Sequence, residues 1–279
     1  AVAACRLRGF KLDFNLGVAG LAFVAASYMF GVSNTMGTRF EGISGSPNRM
    51  VFGLLVFLPF ILVLVAGKKD HRIFRLLGIV GSIGSVFLVL RSGSSQGIVG
   101  LTVILVGLVA CFLSRRLKGA NWIFWLASGV LVVFQFAASM RTIESSADLS
   151  TLSGRTPLYE AAIQEVATHP WVGTGLQHVS ASGVTDRSAH SAILGLSATG
   201  GVILGLVWLA ILVRLTMQGI VLLSLGKIVG AVPLVLVIEQ FVQTVEYIPL
   251  TWAVIAMFMS YDDVGKNPSR SRLTSKGGL

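Results

Sequence analysis

"HSAILGLSATGGVILGLVWLAILV", residues 190 to 213, contains no Asp, Glu, Lys or Arg. As a helix, a run of that length crosses the ~30 Å hydrocarbon core of a bilayer. Comparable runs lie near 14 to 31, 50 to 66, 76 to 90, 97 to 113, 121 to 138, 228 to 245 and 248 to 260, which predicts about eight crossings. Composition agrees: the 279 residues are 54% hydrophobic and 12% charged, with mean hydropathy +0.80, whereas about a quarter of a soluble domain is charged. The expected fold is all-α, a polytopic transmembrane bundle forming one membrane domain over 1 to 279. Cytoplasmic loops of such bundles collect Lys and Arg, so the placement of these residues tests the count.

With the N-terminus inside, 16 of the 22 basic residues fall on the inner side, in the N-terminal segment, the short inner loops and a basic cytoplasmic tail at 261 to 279. The six outer ones, Arg39, Arg49, Arg91, Arg141, Arg155 and Arg187, are all arginines. Topology and anionic lipid account for the net charge of +10, and a nucleic-acid partner is rejected. Cys5 and Cys111 fall on the inner side or within hydrocarbon, which argues against a disulfide. The first basic residues precede a full span, so the start of the chain does not read as a signal peptide.

Residues 139 to 189 form the one long loop, on the outer face. Within it Thr156 and Pro157 open a helix, and Pro170 requires it to stop near Thr168 and His169. Leu158, Ala162 and Val166 recur every four residues beside Tyr159 and Ile163, the stripe of a short amphipathic helix. Gly78, Gly81, Ser82 and Ser85 give the third span the small-residue spacing that lets membrane helices approach closely.

Few polar groups in this chain can carry chemistry. His169, His178 and His190 are spaced by nine and twelve residues, which fits no compact zinc pattern, so neither a metal nor a cofactor is expected. His190 stands at the mouth of a span, where an imidazole of near-neutral pKa can accept a proton or serve as a plain interfacial side chain. Arg155 opens the amphipathic helix, and a guanidinium beside helix N-terminal amides suits a phosphate or pyrophosphate. Arg39 and Arg91 are the arginines chosen to join it, because Arg recognises phosphate bidentately where Lys does not. Glu239, Gln243 and Glu246 share one face of the seventh span, as a polar face of a substrate cavity or as a structural ion pair.

The stretches "SGRTPLYEAAIQEVATHPWVGTGLQ" and "AHSAILGLSATGGVILGLVWL" resemble the signature region of the O-antigen ligase and polymerase family of bacterial envelope proteins. In that family a Gly-Arg opens a short helix, a His-Pro precedes a Gly-x-Gly, and an Ala-His-Asn begins a span followed by a Gly-rich pair. Upstream, "RFEGISGSPNRM" resembles its Arg-x-x-Gly…Pro-Asn loop. Two positions depart from the pattern. Ser95-Gln96 stands where the family has Ser-Arg, so that Arg91 supplies the charge or donor binding is altered, and Ser191 replaces the Asn after His190. Family members carry more spans before the Arg-x-x-Gly loop, which implies further N-terminal sequence.

The resemblance implies a glycosyltransferase of the bacterial inner membrane with its active site on the periplasmic side. The donor would be a glycan on undecaprenyl pyrophosphate, and the acceptor a sugar hydroxyl on a growing glycan or lipid A core. Arg155, Arg39, Arg91 and Gln96 would hold the pyrophosphate, and His190 would take the acceptor proton in a metal-independent, inverting displacement. Two other classes stay open: a transporter or flippase for an anionic lipid-linked substrate, and an inactive scaffold in envelope polysaccharide assembly.

Overall fold

The computed structural model describes residues 9–33, 40–42, 44, 46–66, 72–116, 156–175, 191–242 and 249–261. The expected span at 121 to 138, most of the outer loop, and the tail after 261 lie outside the described residues.

Five helices are long and apolar enough to cross a membrane: α1 (Gly9–Phe30), α2 (Pro47–Val65), α3 (Arg72–Arg91), α4 (Ser95–Arg116) and, in the second half of the chain, α6 (Ala192–Ser224). Between α4 and α6 stands the short helix α5 (Thr156–Thr168), with the bounds that Thr156, Pro157 and Pro170 predict. After α6 come a 3-10 turn (Ile228–Gly230), α7 (Ala231–Val242) and α8 (Pro249–Tyr261). Spans were expected at 228 to 245 and 248 to 260. Their described helices have 12 and 13 residues, about 18 to 20 Å at 1.5 Å per residue, which is shorter than the ~30 Å core.

The α6 helix differs from expectation in two ways. It continues past 213 to Ser224, so Arg214, assigned from sequence to an inner loop, lies on the exposed side of a helix. It is also broken at Gly200 and Gly201.

The core is built around α2, which packs against α1, α3, α4 and α7. Its Phe52, Leu54, Leu55, Phe60 and Ile61 are fully buried. The approach is close because small residues face it. A Cβ on Gly17 of α1 would lie 2.7 Å from the Phe60 carbonyl oxygen, and one on Gly78 of α3 would lie 3.1 Å from Leu64 Cβ. The small-residue spacing read in the third span therefore serves packing, and the Ser82 and Ser85 hydroxyls bond back to the Gly78 and Gly81 carbonyls at 2.8 Å. The outward faces of α3, α4 and α6 carry exposed Ile, Leu, Val and Phe, as expected of surfaces covered by lipid chains.

α1 to α4 run antiparallel in succession, with Gly17 of α1 against Phe60 and Leu64 of α2 and Gly97 of α4 against Val89 of α3, and α6 runs parallel to α4. Cys111 near the end of α4 approaches Leu223 near the end of α6, and Gly219 of α6 packs against Gly230 before α7 begins. One end of the bundle therefore collects the end of α1, the starts of α2, α4, α6 and α8, and the ends of α3 and α7. At this same end, β1 (Val32–Ser33) pairs antiparallel with β2 (Phe40–Gly42) through Val32↔Gly42 and Ser33↔Phe40.

Candidate functional site

Polar side chains concentrate at that end. The α3–α4 turn is held by Ser92 and Ser94, both buried. The Ser92 hydroxyl donates to the Val89 carbonyl at 2.6 Å and accepts from the Ser94 amide at 3.2 Å, while the Ser94 hydroxyl donates to Asn48 Oδ1 at 3.1 Å. These bonds tie the turn to the first residues of α2. They fix the position of Arg91, the last residue of α3, whose guanidinium lies 5.0 Å from the centroid of the Phe40 ring. An exposed arginine stacked on an aromatic ring is pre-ordered, and its planar fork suits an anion. Gln96, one turn further on in α4, is buried.

Across the bundle, α7 runs toward the same end from its start beside Gly219. Glu239 and Gln240, in its last turn, are buried, and Glu239 Oε1 and both amide atoms of Gln240 make no hydrogen bond among the described residues. Burying such groups without partners costs several kcal/mol in order of magnitude, so they mark a place where a polar partner is called for. Gln240 stands beside the face that Glu239 shares with Gln243 and Glu246 in the sequence, and it is as buried as Glu239. Ser191, which precedes α6, and Thr251 in the first turn of α8 add two more buried hydroxyl side chains at this end.

The third part is an interlock between the segment after α5 and the break in α6. In an unbroken helix the Val202 amide would donate to the Ala198 carbonyl. Here Val202 N–H donates instead to Pro170 O at 2.8 Å, and the freed carbonyls of Ala198 and Thr199 accept from the Thr174 and Gly175 amides, each at 2.9 Å. Glycine is required on both sides. Gly201 has φ 74° and ψ 178°, a region that only glycine occupies readily, and a Cβ there would collide with the Trp171 carbonyl. Gly173 has φ 63°, and its Cβ would collide with the Thr199 backbone. The Thr174 hydroxyl stands 3.2 Å from both the Ala198 carbonyl oxygen and Glu165 Oε2 of α5. Ala162 is buried against Ala198, with Val166 and Leu194 beside them. The predicted stripe of α5 thus docks on the first part of α6 through Ala162 and Val166, while Ile163 is exposed.

Of the residues selected from sequence, Arg91 and Gln96 are at this end of the bundle, and Glu239 lies in the last turn of α7, which runs toward it. Arg39, Arg155, His190, Gln243 and Glu246 lie outside the described residues. Among the described residues, no three of His, Cys, Asp and Glu come together as a metal cage would require.

Five long apolar helices and a cluster of polar groups gathered at one end define a multi-pass membrane protein. Residues 80–209 match the family model described as O-antigen ligase. Over that span the chain is O-antigen ligase-like, which connects it with polysaccharide biosynthesis and with glycan ligases and polymerases. No curated protein matches the chain. The matched span runs from within α3 to within α6, so it includes Arg91, Gln96, Arg155, His190 and the whole interlock, and it stops short of Glu239.

Proposed function

We propose that this protein transfers a glycan from an undecaprenyl-pyrophosphate donor to a sugar hydroxyl, in a lipid A core or a growing glycan, on the periplasmic face of the bacterial inner membrane. The observation that carries the reading is that the O-antigen ligase match covers Arg91, Arg155 and His190, and that Arg91 is presented on Phe40 at the polar end of the bundle.

In this reading Arg91, Arg155 and Arg39 bind the pyrophosphate and stabilise the negative charge that grows on it as it leaves. Gln96 lines the donor side, leaving Arg91 to provide the charge that the family places at that position. His190 accepts the proton of the attacking hydroxyl. The new bond joins the acceptor oxygen to the anomeric carbon, the bond from that carbon to the pyrophosphate oxygen breaks, and the anomeric configuration inverts. Three guanidinium groups can neutralise a pyrophosphate, so the step is written without a metal. Glu239 and Gln240, buried and short of hydrogen-bond partners among the described residues, suit sugar hydroxyls, as do Gln243 and Glu246, which follow them in the sequence.

The test is glycan transfer in proteoliposomes from a synthetic polyprenyl-pyrophosphate glycan, read by mobility shift of a labelled acceptor. Wild-type protein transfers the glycan, while Arg155→Ala and His190→Ala lose at least 100-fold, in the range expected for a charge-stabilising group and a general base. A wild-type protein inert toward core oligosaccharide and toward lipid-linked glycan acceptors overturns the proposal.

A transporter reading draws on the broken helix α6, since discontinuous helices line many transport sites. Here the freed backbone groups of the break bond to the segment 170–175, which leaves fewer of them to face a substrate. The transferase reading is therefore preferred.

A further inference from the structure

We infer that Glu165 and Thr174 are positioning residues that set the angle of the first half of α6 and, through it, the place of Ser191, the neighbour in sequence of the proposed base His190. The inference rests on the proposed function for its catalytic consequence, and on the interlock alone for its mechanical part.

The break at Gly200 and Gly201 isolates the segment from Ala192 to Thr199, eight residues, about 12 Å long at 1.5 Å per residue. Its far end is preceded by Ser191, which follows His190 in the sequence. A glycine pair with φ/ψ of −123°/16° and 74°/178° gives this half-helix no stiff covalent continuation into the rest of α6. Its direction is set by the packing of Ala192, Ile193 and Leu196 against the core and by what grips it near the break. The grip consists of the backbone bonds from Thr174 and Gly175 to Ala198 and Thr199, and of the small apolar contact of Ala162 and Val166 with Ala198 and Leu194.

The Thr174 hydroxyl joins the two parts of the grip. Its single proton is within reach of the Ala198 carbonyl, which belongs to the half-helix, and of the Glu165 carboxylate, which belongs to α5, at 3.2 Å each. Glu165 in turn accepts His169 N–H at its own carbonyl, 2.9 Å, at the end of α5 where the loop begins. The carboxylate and the hydroxyl thus fasten helix, loop and half-helix at one point. Because the lever is about 12 Å long, a rotation of ~5° at the break displaces its far end by roughly 1 Å. A misplacement of that order can cost on the order of 100-fold in rate.

The test compares Thr174→Val and Glu165→Ala, the double variant, and the conservative pair Thr174→Ser and Glu165→Gln, which keep a hydroxyl donor and an acceptor oxygen. In the transfer assay, Thr174→Val and Glu165→Ala each lower kcat about tenfold with donor KM within twofold, and the double variant is no worse than either, as for two groups acting as one unit. The conservative variants recover most of the rate. In parallel, amide hydrogen exchange over Ile193–Thr199 speeds up in both disrupting variants, and exchange in α3 stays at the wild-type rate. Wild-type kcat in Thr174→Val, a loss in Glu165→Ala that Thr174→Val does not share, or unchanged exchange over Ile193–Thr199 overturns the inference. If the wild-type protein transfers no glycan, the proposed function fails by itself, and the exchange measurement still decides whether the two residues hold the half-helix.

Discussion

The α1–α3 block and the α5–α6 interlock are held together by opposite means. In the first, whole helices lie side by side with their backbone hydrogen bonds internal, and contact depends on the small volume of Gly17, Gly78 and their neighbours. In the second, a helix gives up bonds at Ala198, Thr199 and Val202, and a loop returns them one by one. Close packing through small residues is the general way for membrane helices to associate. An exchange of backbone partners is needed only where the chain must change direction near polar groups, because unsatisfied amides are expensive in a bilayer. The difference separates a scaffold, which tolerates adjustment, from a site, which depends on register.

That contrast can be broken by substitution at single residues, beginning with the largest expected effect. Gly201→Val puts a β-branched side chain in a glycine-only conformation and into the Trp171 carbonyl. It is expected to lower transfer by more than about 100-fold through loss of register while helical content, read by circular dichroism, stays close to wild type. A variant as active as wild type would show that the interlock is incidental.

Gly17→Ala in the scaffold pushes a methyl group to 2.7 Å from the Phe60 carbonyl oxygen. The expected cost is about 1 to 3 kcal/mol of stability, as for other overpacked interiors, seen as a lower unfolding temperature in detergent. Specific activity at low temperature should remain near wild type, and a selective loss of activity would put α1 in the site. Arg91→Ala is expected to raise donor KM about tenfold, with Arg91→Lys recovering part of it, since Lys keeps the charge but not the planar fork; an unchanged KM would remove Arg91 from donor binding. Ser94→Ala removes the bond to Asn48 and is expected to cost about 1 kcal/mol, detectable as a small shift in unfolding temperature. A larger effect on KM than on stability would show that the α3–α4 turn moves Arg91.

The sequence made the scaffold and the site legible to different degrees. Long apolar runs locate α1 to α4 and α6, and Thr156, Pro157 and Pro170 bound α5, because each signal acts locally on the helix that contains it. The extent of α6 was missed, since Arg214 reads as a loop charge when it can equally extend from a helix face. The interlock was visible only as a motif: His-Pro, Gly-x-Gly and the Gly pair were legible as elements of a resemblance, but nothing local says that Gly173 lies against Thr199 and Gly201 against Trp171. Thr174 and Glu165 gave no signal, because an exchange of hydrogen bonds between segments 24 residues apart in sequence depends on tertiary placement. Gln240 was legible as the neighbour of Glu239, but helical periodicity does not reveal burial on both sides.

The most direct test of the central claim is transfer from a polyprenyl-pyrophosphate glycan by wild type, Arg155→Ala and His190→Ala in parallel proteoliposomes, with each variant's unfolding temperature checked. The account predicts labelled acceptor with wild type and at least a 100-fold loss in both variants at unchanged unfolding temperature. Full activity in His190→Ala, or no product from wild type with any glycan acceptor, would contradict it.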